Sequence, residues 1–245
     1  MADDESLSPR GDARFGTTRW SMVIRAGDVN SADAGAALEE LCKSYWYPLY
    51  AFVRKTGKSE DEAKDLTQEF FCRLLDKQRL NAADPARGKF RSFLLSSIKN
   101  MMLDEWKKGQ AQKRGGGMTV LSIDEEDPEG RYRLEPKDET TPESLFEKRW
   151  AQTLVNKTIA RLQAECEEQG KPFEELKVYL LEPKGTVPFA ETAAKLGTTE
   201  TALKTSVHRL RRNYAAIFRE EVAQTVDDPE EVDMEIQHLL TALGS

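Results

Sequence analysis

Between Thr201 and Arg219 the chain carries five basic side chains, Lys204, Arg209, Arg211, Arg212 and Arg219, together with His208 and no acid. Just before this stretch, Ala193 and Ala194 are small enough for two helices to cross closely. Leu196 anchors the first helix, Gly197 permits a tight turn, and Thr198 or Thr199 can cap the second. A basic helix so placed suits the major groove of duplex DNA, its first turns against base edges and later arginines such as Arg212 against phosphates. A solvated basic face on an ordinary helix has the same composition, and spacing alone leaves both readings open.

A second basic region runs from residue 87 to 114. Arg87, Lys89, Arg91, Lys99, Lys107, Lys108, Lys113 and Arg114 stand there against two acids, Asp104 and Glu105. Phe90, Phe93 and Trp106 are interleaved with them. Cations that neutralise a phosphate backbone, next to rings that stack on bases, are what holding separated strands requires. Phe90 and Phe93 also fit a helical core stripe, for which packing is the expected role; Trp106 lies off it near the helix end, and spacing leaves open whether it touches nucleic acid. The stretch Glu60 to Glu69 has the opposite sign, with Glu60, Asp61, Glu62, Asp65 and Glu69 mostly on one polar side and Gln68 among them. Acids near a helix amino end are favoured by the helix dipole, and the same face would dock a basic partner.

Signatures of catalysis are missing. Gly88-Lys89 and the run Gly115 to Gly117 lack the spacing and strand context of a phosphate-binding loop. No serine or cysteine has a plausible histidine base, and the carboxylate pair Glu125-Glu126 falls in an expected linker. His208 and His238 are thirty positions apart with no CxxC or HExxH pattern, so neither a metal nor another cofactor is implied. Cys42, Cys72 and Cys166 are odd in number, widely spaced and set in helical segments, as reduced, buried thiols would be.

The elements that must position these groups all read as helices. Leu38, Leu41, Cys42, Tyr45, Trp46, Leu49, Phe52 and Val53 recur at steps of three and four, giving a helix from about Ala36 to Lys55 that contains Pro48. Ser59 with Glu62 forms a capping box that opens a helix from Glu60 to about Lys77. Turn residues fill Leu80 to Gly88, and a third helix runs from about Lys89 to Lys108. Periodicity then fails from Gly109 to about Thr141, a stretch with a compact acidic run around Pro128, which reads as a linker with little fixed structure of its own. Helical spacing resumes at Pro142 and continues to around Gly170, followed by a short helix from Phe173 to Leu181 and the crossed pair already described. At the carboxyl end, Asp228 and Glu231 give a cap signature, and Val232, Ile236, Leu239, Leu240 and Leu243 line one expected apolar face.

The division expected is an unordered amino end (1–16), a first helical domain (17–113), a linker (114–141), a helix-turn-helix domain (142–222) and a tail helix (223–245). The fold class is all-α, two small helical domains on a flexible acidic linker. No apolar run approaches the roughly 20 residues that span a bilayer, and the amino end lacks the order of a signal peptide, so a cytoplasmic protein is expected.

Taken together, these features resemble the extracytoplasmic-function (ECF) class of bacterial RNA polymerase sigma factors. DEAKDLTQEFFCRLL is similar to that family's second-region helix, whose acidic face docks on the clamp of the polymerase largest subunit. Asp61, Asp65, Gln68 and Glu69 fall on the matching positions, with Glu62 beside them. Leu80 to Gly88 and the helix start at Phe90 match the part that melts the minus-ten element. Asn100, Asp104, Lys107 and Lys108 fit its N-x-x-x-D-x-x-basic-basic pattern, although Trp106 and lysines stand where arginines are usual. The resemblance thus implies a minus-ten surface of Arg87, Lys89, Arg91, Asn100, Asp104, Trp106, Lys107 and Lys108. AAKLGTTETALKTSVHRLRR resembles the fourth-region helix-turn-helix that reads the minus-thirty-five element, through Glu200, Thr201, Lys204, Thr205, His208 and Arg209, flanked by Thr199 and Arg212. The acidic run of the linker is similar to the segment that threads the polymerase channels. A minimal member has no counterpart of the tail, which is expected to fold back on the second block or to bind a regulator.

The function implied is a non-enzymatic promoter-specificity subunit that binds core RNA polymerase and promoter DNA and helps to open it, with an anti-sigma protein or other regulator as a further partner and no membrane. Two alternatives stand beside it: a helix-turn-helix regulator that binds duplex DNA without polymerase, and an adaptor whose acidic helix and tail bind basic partners. The net charge of −7 is an average over opposed parts. Residues 87–114 carry +6 and residues 201–219 carry +5, which leaves −18 on the remainder. Free DNA should therefore bind poorly until a polymerase covers the negative charge.

Overall fold

The computed structural model describes residues 34–75, 89–109, 127–134, 141–183, 185–226 and 228–244, and every regular element among them is a helix. Helix α1 (Ala34–Lys55) is buried on nearly every side from Leu41 to Val53, because α2 (Glu60–Leu75) covers one flank and α5 (Pro142–Glu168) another. Pro48 sits inside α1 without ending it. A proline there removes one backbone hydrogen bond, and the surrounding aromatic packing offsets that loss. Tyr45 marks where three helices meet, 5.6 Å edge-on to Phe90 of α3 (Phe90–Gly109) and stacked 6.3 Å from Trp150 of α5.

Local chemistry sets the ends of these elements. Gly57 turns the chain after α1 with φ 94°, a conformation that glycine adopts without strain. The capping box then forms as its spacing requires: the Glu62 N–H donates to Ser59 Oγ at 3.3 Å, and the Ser59 N–H donates to the Glu62 carboxylate at 3.0 Å. The turn segment Leu80 to Gly88, and Arg87 with it, lies outside the described residues.

The expected linker contains one ordered helical turn, α4 (Pro128–Arg133). Asp127 accepts the Gly130 N–H at 2.7 Å, and a Cβ at position 130 would lie 2.0 Å from Asp127 Oδ2, so a side chain there would push the Asp127 carboxylate out of its present cap position. Glu129 is the reason the turn holds its place. It is 6% exposed and accepts from Tyr50 Oη at 2.7 Å, Arg54 Nε at 2.9 Å and Arg54 Nη2 at 2.8 Å. The Arg54 hydrogen bonds outweigh burial and, with Tyr50, bring the Glu129 carboxyl down to about 2.

Helix α5 begins at the boundary read from the sequence, with Thr141 Oγ1 capping the Ser144 N–H at 3.1 Å, yet it is not confined to the second block. Leu145, Phe146, Trp150 and Leu154 complete the core around α1, whereas Leu162 and Cys166 enter a second core with α6 (Phe173–Leu181), α7 (Phe189–Lys195) and α8 (Glu200–Ala223). Helix α8 repeats the pattern in reverse: Leu203, Val207, Leu210 and Ile217 serve the second core, Phe218 and Val222 the first.

The tail packs back on the body. Asp228 caps a 3-10 turn (Pro229–Glu231) through the Glu230 N–H at 2.9 Å, and α9 (Val232–Gly244) follows. Its buried face departs from expectation. Leu240 is 58% exposed, while Glu235, an acid, is 0% exposed on the stripe with Val232 and Leu239. Lys89 and Arg91, at the start of α3, meet that stripe, so a carboxylate is buried on a face that periodicity assigns to apolar residues. Cys42 and Cys166 are buried; burial, with Cys72 nearby, pushes the Cys42 thiol up to about 12.

Candidate nucleic-acid interface

The turn between α7 and α8 is built as its residues require. Gly197 takes φ 63°, the Thr198 N–H donates to Ala193 O at 2.9 Å, and Thr199 Oγ1 accepts the Ala202 N–H at 3.2 Å. Thr199 is therefore the cap of α8. Tyr179 locks the preceding helices together, stacking 4.6 Å from Phe189 and donating to Thr192 Oγ1 at 2.8 Å. With Leu203, Val207 and Leu210 facing inward, Glu200, Thr201, Lys204, Thr205, His208, Arg209 and Arg212 all stand on the exposed side. Lys204 pairs with Glu200 at 3.4 Å and lies 5.5 Å over the Phe189 ring. Two other cations of this helix are engaged within the protein. Arg211 donates from Nε and Nη2 to the Tyr179 carbonyl at 3.2 and 2.8 Å, and Arg219 pairs with Asp233 of the tail.

On α2 the acids separate into two sets. Asp61 and Asp65 are exposed one turn apart, whereas Glu62 belongs to the cap and Gln68 is half-buried. Glu69 pairs with Arg73, which also reaches Glu105 of α3 at 2.9 Å and so joins the two helices. Glu60 pairs with Lys64 at 2.7 Å and lies 3.8 Å from Arg133 of α4.

The two ends of α3 differ. At the far end Asn100, Asp104, Trp106 and Lys107 are exposed, Trp106 by 65%, and Trp106 borders a groove lined also by Phe52, Thr56, Leu66 and Met102. The Lys108 side chain lies outside the described residues. At the near end Arg91, expected on a nucleic-acid surface, is only 4% exposed. Phe90, Leu94 and Ile98 point into the core, and position 91 turns toward α5 and α9 beside them. Its Nε donates to Glu147 at 2.9 Å, its Nη1 to Glu235 at 2.5 Å, and its guanidinium lies 4.4 Å over the Trp150 ring. Lys89 also donates to Glu235. Burial pushes the Glu235 carboxyl up, but the charge of Arg91 and the hydrogen bonds from Lys89 and Arg91 hold it below the ordinary carboxylate value.

Sequence reasoning missed three acids, Glu129 as the partner of Arg54, and Glu147 and Glu235 as partners of Arg91. Only Glu129 had a local signal. Asp127-Pro128 is a cap followed by a proline at the first helical position, the mark of a helix start. Among the described residues no group of three or more histidines, cysteines and acids could hold a metal ion, and no helix is long and apolar enough to cross a membrane.

The first block is thus an all-α module in which a helix with exposed acids packs beside a basic, aromatic helix. Residues 41–112 match the family model Sigma-70 region 2, covering most of α1 and all of α2 and α3. The match takes in 72 of the 245 residues and is a likeness of that segment to the family. No curated protein and no solved structure matches the chain.

Proposed function

We propose that the chain is a promoter-specificity subunit of the ECF type. In this reading Asp61 and Asp65 of α2 dock core polymerase, the α3 region with Trp106 and Lys107 holds melted minus-ten DNA, and the outward face of α8 reads the minus-thirty-five element. The observation that carries it is the coexistence, in one chain, of the Sigma-70 region 2 segment and an exposed basic helix-turn-helix face. Unstacking a base costs a few kcal/mol, which binding to the protein must recover. Contacts from the two blocks together supply more than either alone, because the second binding event becomes intramolecular.

In vitro transcription with core polymerase and a library of genomic promoters tests this reading: promoter-specific transcripts are expected, and their absence at every promoter would overturn it. The exposed α8 face also suits a regulator that binds duplex DNA without polymerase. Capture of core polymerase by the immobilised protein separates the two, since the regulator reading requires a sequence-specific shift with DNA alone and no capture.

A further inference from the structure

Residues 223–245 contain six acids and no lysine or arginine. The helix they form lies in the corner between α5 and α8, against the start of α3. Leu239, 0% exposed, anchors its apolar side, and Arg219 of α8 pairs with Asp233 at its outer edge. His238 Nε2 lies 3.2 Å from the Glu147 carboxylate that also takes Arg91.

The chemistry at Glu235 is that of a substitute anion. A buried carboxylate is tolerated only when cations pair with it, and here Lys89 and Arg91 both do. The guanidinium fork of Arg91 is the geometry that would grip a phosphate, and carboxylates of Glu235 and Glu147 fill it instead. Phosphate and carboxylate compete for the same donors, so Lys89 and Arg91 cannot serve a nucleic-acid backbone while α9 is seated.

We propose that α9 is an intramolecular latch: Glu235 occupies Lys89 and Arg91 in place of phosphate and closes the start of α3 until polymerase-held promoter DNA displaces the tail. This deepens the functional reading above and rests on it. Release frees Lys89 and withdraws an acidic helix from beside Arg91, which keeps Glu147 as its partner, so both the affinity for nucleic acid and its dependence on salt must rise.

The test uses the full chain, a fluorescent single-stranded deoxyoligonucleotide as probe, and two variants. Glu235→Gln removes the competing charge; Leu239→Ala loosens the helix and leaves every charge in place. Hydrogen exchange of residues 232–244 reports whether the tail has opened while α1 stays protected. With the tail open, each variant should bind the oligonucleotide about tenfold tighter than wild type, with a salt slope steeper by roughly 0.7 for one more phosphate neutralised. A fast-exchanging tail in Leu239→Ala with wild-type affinity and slope overturns the latch, as does a tail that stays protected in both variants. If Glu235→Gln fails to fold, Leu239→Ala decides. Transcription by wild-type protein with core polymerase is run alongside: its failure counts against the sigma reading, whereas the oligonucleotide comparison bears on the latch alone.

Discussion

Arg91 Nη1 donates to Glu235 Oε1 at 2.5 Å across 144 residues of chain, and neither side chain is more than 4% exposed. With Lys89, Glu147 and the face of Trp150, this contact joins the third helix, the long α5 and the tail at one point. The net contribution of a buried ion pair to stability is commonly small, because desolvation costs nearly as much as attraction returns. Losing one partner is what costs most.

Glu235→Ala should therefore destabilise the chain by about 3 kcal/mol, since Arg91 keeps Glu147 but loses its second carboxylate. The double variant Arg91→Met, Glu235→Leu should be closer to wild type than Glu235→Ala. Urea denaturation of wild type, Glu235→Ala and the double variant reads this directly, and equal losses in the single and double variants would refute it.

Glu129 sets an acid limit on the anchored turn α4. Its folded value of about 2 lies below the ordinary 4.5, so the stabilisation is complete above about 4.5 and is lost as pH falls toward 2. Melting temperature should fall across that window in the wild type. In Glu129→Gln it should start lower and change less, as thermal melts at stepped pH will show.

Charge reversal at Asp61 and Asp65 should abolish capture of core polymerase. Both side chains are exposed, so folding stability should change by no more than about 0.5 kcal/mol. A wild-type capture signal from a folded Asp61→Lys, Asp65→Lys protein would rule out docking through this face.

Arg209 and Arg211, two positions apart on α8, should behave differently. Arg209→Ala should weaken duplex binding and reduce the salt slope by about 1 while leaving stability unchanged. Arg211→Ala removes two hydrogen bonds to the Tyr179 carbonyl and should cost roughly 2 kcal/mol of stability. Filter binding at several salt concentrations, together with urea melts, distinguishes the two.

What the sequence made legible was what is encoded locally. The Ser59–Glu62 box, the Gly197 turn, the Phe173–Leu181 helix and the inward stripe Leu203, Val207, Leu210 each depend on residues within a few positions of one another. The exposed residues of α8 follow from the same stripe. Arg91 is expected on a nucleic-acid surface yet is buried, and the roles of Arg211 and Glu235 are not legible at all, because the partners lie 144 residues away for the Arg91–Glu235 pair and 32 for Arg211 and Tyr179. Periodicity reports which face of a helix is apolar, not whether an ion pair is buried within that face. The anchored turn at Glu129 was hidden for the same reason, since Tyr50 and Arg54 lie on the first helix.

Helix α5 has 27 residues, about 40 Å of continuous rod at 1.5 Å per residue, and its two halves are seated in different cores. Heat or denaturant that melts one core strips the cover from half of that rod and exposes apolar surface in the other. The described helices are therefore expected to unfold in one calorimetric transition. A fragment beginning at residue 142 would expose Phe146, Trp150 and Leu154 to water and enter solution as an aggregation-prone piece rather than a free-standing domain.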